Sequence, residues 1–365
     1  MTESLSRKIP IKNVYYMLAY AWDLPLSLQQ KKLESESFDG IENLLASLFE
    51  FHLSLLIKRG LVKEYIENRQ PEQLLKGKLL MADSIKERTM QHKKFICQYD
   101  ELTDDIVINQ LVKTALHEFI KIPTLSPKIL KRLMRLRPYL QHIQLYNWQN
   151  SIFNQIKLKR HNQHYSILIH IAQLLYERKI TQEQDGEITF QTFLNDKQLN
   201  TLFEKFLYRF YQKHLPTYKV HRPIIDWKLS GSENADALTY LPKMHTDIVI
   251  EDNDNNQVIM DAKFYKETLT KTQFDQERLY SVNLYQLFAY VMNSKFTGKK
   301  YGILIYPMID QHIHVSYQIM NHTISACTVN LNEEWSKIEQ RLLEIITPYL
   351  QDGVGWGELI SIGDS

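Results

Sequence analysis

Hydrophobic positions along this chain recur at helical spacing through its first half and then give way to strand-like runs. Ile41, Leu44, Leu45, Leu48, Phe49, Leu55 and Leu56 repeat every three or four residues, which predicts a helix over 41–57. His52 falls on the same stripe and reads as a core-edge histidine rather than a ligand. Val14 to Trp22 is a shorter, aromatic-rich amphipathic stretch. Helical spacing then fails: Gly60, Pro71 and Gly77 interrupt 58–81, predicting short strands or a hairpin. Another helix is expected in "YDELTDDIVINQLVKTALHEFIK", with Thr103 as N-cap and acidic residues in its first turn. Lys128, Lys131, Arg132, Arg135 and Arg137 follow on a helical segment, and Lys157 to Tyr176 supplies one more helix.

Beyond about residue 185 the order becomes helix, strands, helix, strand. Leu199, Leu202, Phe203, Phe206, Leu207 and Phe210 share one face of a helix over 199–215. Strand-like runs cover 220–227, 246–250 and 258–265, a helix is expected over 276–292, and "KYGILIYPM" reads as a buried strand. The fold class that follows is α+β or α/β. A mostly helical N-terminal region with a small β-hairpin element, 1–180, precedes a mixed central sheet flanked by helices, 181–350, and a tail, 351–365.

Composition changes this picture little. Hydrophobic residues make up 44% and charged residues 24%, as in an ordinary globular protein, and the net charge of +2 argues neither for nor against nucleic acid. The basic run 128–137 is therefore read as a solvated face in preference to a DNA contact. Two distant cysteines exclude a Cys-rich zinc site and a disulfide framework. No run reaches the ~18 apolar residues of a membrane span, and the N-terminus lacks a signal peptide's apolar core. The expectation is a soluble, cytoplasmic protein with no membrane partner.

One stretch is out of keeping with its surroundings. In "TDIVIEDNDNNQVIMDAKFYK", Asp247, Asp261 and Lys263 sit in or beside β-branched runs suited to burial, where an unpaired charge is costly. Residues 252–256, "DNDNN", are turn chemistry, so the stretch is a hairpin. If the turn centres on Asp254, Asp247 and Asp261 face each other, with Cβ atoms about 4.5–5.5 Å apart. Lys263, two residues on, points to the same face. Two adjacent carboxylates repel, and a divalent cation such as Mg²⁺ would relieve them; with a lysine beside it, this is equipment for phosphodiester hydrolysis. The alternative is a buried Asp–Lys pair that closes a hairpin, and a pattern as short as D…DxK arises readily by chance. Two flanking features count against chance: Glu204 on the preceding helix can add a carboxylate, and Gln286 and Tyr290, at i and i+4, share a helix face.

Glu204, Asp247, Asp261-Ala262-Lys263 and Gln286-xxx-Tyr290, in that order, resemble the PD-(D/E)xK nuclease core in its RecB-like branch. Thr246-Asp247 stands where Pro-Asp is usual and leaves the carboxylate in place. The wider chain resembles the McrC family, nuclease subunits of McrBC modification-dependent restriction systems. The resemblance rests on "IPIKNVYYMLAYAWD", "YDELTDDIVINQLVKTAL", "LPKMHTDIVI", "VIMDAKFYK", "NLYQLFAY", "GILIYP" and "CTVNLNEEW". It is weak over 61–86, and 353–365 runs past the usual end.

That resemblance implies a catalytic set of Asp247, Asp261, Lys263, Glu204, Gln286 and Tyr290. Asp247, Asp261 and Glu204 would hold Mg²⁺, with Mn²⁺ as a substitute. It implies an N-terminal region that docks on an McrB-type GTPase ring, with GTP used by that partner, and duplex DNA carrying modified cytosine as substrate. Self-dimerisation within the complex is left open. The chain has no GxxxxGK[ST] loop, in keeping with GTP binding by the partner. Two rivals stand beside this reading: a stand-alone RecB-like nuclease and a non-catalytic regulator of a ring motor.

Overall fold

The computed structural model describes residues 9–24, 40–158, 160–185, 196–229, 239–252, 255–264, 270–271, 277–308 and 312–350. These form two compact units, one from the described residues of 1–37 and 194–365 and one from those of 38–193. A boundary near 180 was expected; the units divide at 193/194, and the first helix belongs with the C-terminal unit. In α1 (Ile11–Ala21) every side chain from Asn13 to Tyr20 is buried. Its partners are in the C-terminal unit: Tyr16 stacks on Trp335 at 4.6 Å, and Tyr20 packs against Phe206 and Phe210. Buried Asn13 donates to the carbonyls of Leu331 and Glu333. An apolar stripe shows that a helix is buried and leaves open against what, so this docking had no local signal. The 353–365 tail lies outside the described residues.

In the 38–193 unit, α2 (Ile41–Arg59) buries Leu44, Leu45, Leu48, Phe49, Leu53 and Leu56, while Leu55 faces outward. His52 is half-buried with its ring edge-on to Phe51, and burial pushes its pKa down to about 4. Strands β1 (Glu64–Glu72) and β2 (Lys78–Leu79) confirm extended structure here, followed by α3 (Met81–Lys86). They do not pair with each other. Both pair with β3 (Phe95–Thr103), antiparallel, so the sheet runs β1-β3-β2. Thr103, expected to cap a helix, instead ends β3, and its Oγ1 accepts from the Asp105 N–H. The helix that follows, α4 (Val107–Ile120), starts after Ile106 with no side-chain cap, and Asp104 and Asp105 lie outside its first turn. Helix α5 (Pro127–Leu136) has Ser126 as N-cap and Pro127 at its first position. Then come a 3-10 turn over Arg137–Leu140, the short α6 (Asn150–Gln155) and α7 (Ser166–Asp185). The last was expected from 157, but 160–165 is a 3-10 turn. Buried Tyr165 donates to Asn109 at 2.6 Å and accepts from the Val62 N–H, tying α4 to the lead-in of β1.

The C-terminal unit opens with α8 (Asp196–His214) and continues through β4 (Lys219–His221), β5 (Ile224–Ile225), β6 (Met244–His245), β7 (Ile248–Asp252) and β8 (Asn256–Ala262). The short β9 (Thr270–Lys271) and β10 (Glu277–Arg278) pair as a ribbon before α9 (Ser281–Asn293). Then follow β11 (Lys299–Pro307), β12 (His314–Ile319), β13 (His322–Val329) and α10 (Trp335–Ile346). Six strands form a mixed sheet ordered β12-β13-β11-β8-β7-β4, parallel at β8–β11 and β11–β13 and antiparallel elsewhere. The strand expected over 220–227 is divided at Pro223, which has no N–H to give a ladder: β4 joins the large sheet and β5 pairs with β6. The helix expected from 276 begins at 281, because 277–278 belongs to the ribbon. Leu287, Tyr290 and Val291 of α9 pack over Ile259, Leu304 and Ile324 of the sheet. No helix of the described residues is long and apolar enough to cross a membrane.

Candidate active site

The hairpin β7–β8 has the register its turn residues suggest. Ile248 faces Met260 and Asp252 faces Asn256, so the ladder is centred on residue 254. Its last pair is one step short of Asp247 and Asp261. Val249 and Ile259 belong to the cluster under α9, and two-residue periodicity puts Asp247, Asp261 and Lys263 on that same face. Strand β8 is covered on both edges, by β7 and β11, and all its residues are buried, so Asp261 retains only 1% exposure.

Each carboxylate has a defined neighbour. Asp247 Oδ2 accepts from the Ala262 N–H at 2.9 Å. Lys263 Nζ lies 2.9 Å from Asp261 Oδ2. That contact falls short of good hydrogen-bond geometry, so the pair is held mainly by charge. The Lys263 N–H donates to the Ile305 carbonyl, fixing the chain beyond β8 against β11. Glu204, on α8, accepts from Asn200 one turn earlier on the same helix.

Burial governs the charges. It pushes Asp261 up to about 6, with Asp247 adding and Lys263 opposing. Asp247 is also raised, chiefly by burial, against the pull of the Ala262 N–H, Lys263 and Arg222. Glu204 is raised to about 7, by burial first and then by the Asp247 charge. Three acids are thus held where ionisation is unfavourable and where at least Asp247 acts on both others. Tyr290 is raised by burial, with Asp261 and Asp247 adding to the effect, so its phenol lies within their field. Gln286 Nε2 donates to Tyr290 Oη at 2.6 Å, and the amide therefore addresses the phenol of its own helix.

Two further contributors were not singled out in the sequence. Asn200 bridges the site, donating to Glu204 and accepting from the Phe264 N–H at 2.9 Å. Its spacing of four from Glu204 was the available clue. Arg222 donates to the Glu204 carbonyl at 2.8 Å, lies over the Tyr208 ring, and places positive charge near Glu204 and Asp247. It follows a three-residue strand and is brought in by tertiary packing alone.

The donor set suits a hard dication, since carboxylates held against their own charge gain most from one. Among the described residues, however, no three of His, Cys, Asp and Glu converge closely enough to encircle an ion. Asp247 and Asp261 could therefore hold an ion, with Glu204 reaching it through water. Mg²⁺ commonly binds this way, keeping several waters beside one or two carboxylates.

A family model described as "McrBC 5-methylcytosine restriction system component" matches residues 5–307. The chain is 31% identical over 346 residues to the Escherichia coli (strain K12) protein described as "Type IV methyl-directed restriction enzyme EcoKMcrBC", covering 94% of this chain and 99% of that one. Its fold resembles a chain in the Thermococcus gammatolerans assembly of McrB AAA+ hexamers with bound McrC. That match has a TM-score of 0.53 at 19% identity and covers 92% of this chain and 76% of the other.

Proposed function

The chain belongs to the McrBC restriction family as a McrC component, and on that premise we propose that it is the DNA-cleaving subunit of a GTP-driven complex. It would act on duplex DNA carrying modified cytosine, docked on an McrB-type GTPase ring that binds the GTP and whose hydrolysis it stimulates. The observation that carries the reading is the juxtaposition of Asp261 and Lys263 at 2.9 Å on the hairpin face that also carries Asp247.

Asp247 and Asp261 would hold Mg²⁺, for which Mn²⁺ could substitute. When bound, the ion supplies positive charge to a phosphate oxygen and acidifies water. Lys263 faces the charge that builds on the phosphate and is kept in place by Asp261. Glu204, with a pKa of about 7, can take a proton from the attacking water and release it again near neutral pH. Asn200 orients Glu204, and Tyr290, buttressed by Gln286, presents a hydroxyl on the α9 side.

The test is a cleavage assay on methylated and unmethylated duplexes, with the cognate ring protein, GTP and Mg²⁺ each present or omitted. Expected is cutting of methylated DNA only when all three are present. Cutting without the ring and GTP would favour a stand-alone nuclease, and no cutting under any condition would favour a regulator.

A further inference from the structure

From Phe119 to Tyr176 the chain contains nine Lys and Arg residues and no Asp or Glu, although the whole protein carries a net charge of only +2. An ordinary solvated face mixes both signs. Helix α5 turns Ile129 and Leu133 inward and leaves Lys131 and Arg135 on the exposed side, four residues apart and so one above the other. Like charges at this spacing repel, which an isolated helix would avoid. Arg132, in contrast, turns back toward α2 and lies 3.6 Å from Glu50. Among the described residues, Lys131, Arg135 and Arg137 have no ion pair or side-chain hydrogen bond.

Arg137 stands at the edge of a hollow of about 500 Å³, rimmed also by Lys113 and His117 and floored by Leu116, Ile120 and Leu140. No carboxylate lines it. Lys113 is fixed at the rim by donating to the carbonyls of Gln141 and Ile143. The nearby acid Glu118 is engaged by Lys121 at 2.9 Å. His117 is pushed down by burial and by Lys121, with Glu118 opposing and Arg137 and Lys113 adding, so three cations and one acid act on one small region. Tyr139, 60% exposed, follows Arg137 and offers a flat apolar face beside it.

We propose that Lys131, Arg135, Arg137 and the adjoining hollow form a DNA-backbone site distinct from the Asp247–Asp261–Lys263 centre. The three cations would each neutralise a phosphate, while the hollow seats a sugar–phosphate segment against its apolar floor. The charge argument stands on this unit alone; that the polyanion is DNA rests on the cleavage reading.

The test uses the full chain carrying Asp261→Asn, without divalent metal, and anisotropy of a labelled duplex across a salt series. The variant Lys131→Ala/Arg135→Ala/Arg137→Ala should bind about tenfold or more weakly. Its plot of log affinity against log salt should be shallower by about 2–3, since each lost phosphate contact removes about 0.9 from the slope. The charge-preserving set Lys131→Arg/Arg135→Lys/Arg137→Lys should restore both, with unchanged melting temperature in all three. Parental affinity and slope in the alanine variant would overturn the site. Parental DNA binding combined with lost activation of the ring GTPase would also overturn it, in favour of an acidic protein surface. A chain that binds through this face yet never cuts under full assay conditions would instead refute the cleavage reading and leave the site standing.

Discussion

The charges at the hairpin are held at a cost, and that cost is measurable at single residues. A carboxylate whose folded pKa is raised stabilises the fold while protonated and loses that contribution as pH rises through its folded value. For Glu204, raised to about 7, the loss is complete above that pH and shrinks below it toward the unfolded value of about 4.3. Glu204→Gln should therefore melt higher than the parent at pH 8 in chelator, with the gain fading toward pH 5. Each kcal/mol recovered moves the midpoint by about 2–4 °C in a unit of this size. Equal melting at both pH values would show that the glutamate is not held out of water. Gln286 and Tyr290 make a second prediction, because the amide works through the phenol. Gln286→Ala and Tyr290→Phe should each lower single-turnover cleavage, leave metal binding intact, and be clearly non-additive when combined. Independent effects would separate the two roles. Asp247, Asp261 and Lys263 were legible in the sequence because a two-residue period and a turn centre fix which side chains share a face. Asn200 had only its spacing of four from Glu204 to mark it, and Arg222 had nothing, since neither periodicity nor turn chemistry marks a residue brought in from another element.

Among the elements, β11 and α9 show how closely the site depends on its supports. Gly302 lies in β11, opposite Ile259 and Ile324, and a Cβ there would meet Ile324 Cδ1 at 2.8 Å and Leu287 Cγ and Cδ2 at 3.1 Å. Gly302→Ala should destabilise by about 1–3 kcal/mol through overpacking and displace α9, which carries Gln286 and Tyr290. The check is denaturant unfolding together with single-turnover cleavage; an unchanged midpoint would mean that Leu287 yields at no cost. The long helices and the central strands were readable because their apolar spacing is unbroken. The errors fall where a partner from elsewhere decides. Residues 61–86 look like a self-contained hairpin, but β1 and β2 both find β3, whose last residue, Thr103, reads as a helix cap. Thr103 offered a good cap, yet the β1–β3 ladder runs through it.

For the whole molecule, the division of the chain does not follow its order. Residues 9–24 precede the 38–193 unit but pack with the described residues of 194–365, through aromatic contacts of Tyr16 and Tyr20 with α8 and α10. Tyr20 also donates to Glu339 and bonds to His214. Tyr20→Ala should cost about 3–5 kcal/mol, as aromatic truncations in cores do. In hydrogen exchange, α8 and α10 should lose protection while α2, α4 and α7 keep theirs. Loss confined to α1 would contradict this docking. A truncation meant to isolate the C-terminal unit must accordingly keep the first helix. The central claim, that the hairpin face of this unit cuts DNA within a McrBC complex, is tested most directly with Asp261→Asn assembled on the cognate ring protein. Both DNA cleavage and GTP hydrolysis would be followed on a methylated duplex with Mg²⁺. Expected is a loss of cleavage with GTPase stimulation retained at the parental level; cleavage at the parental rate would contradict the assignment.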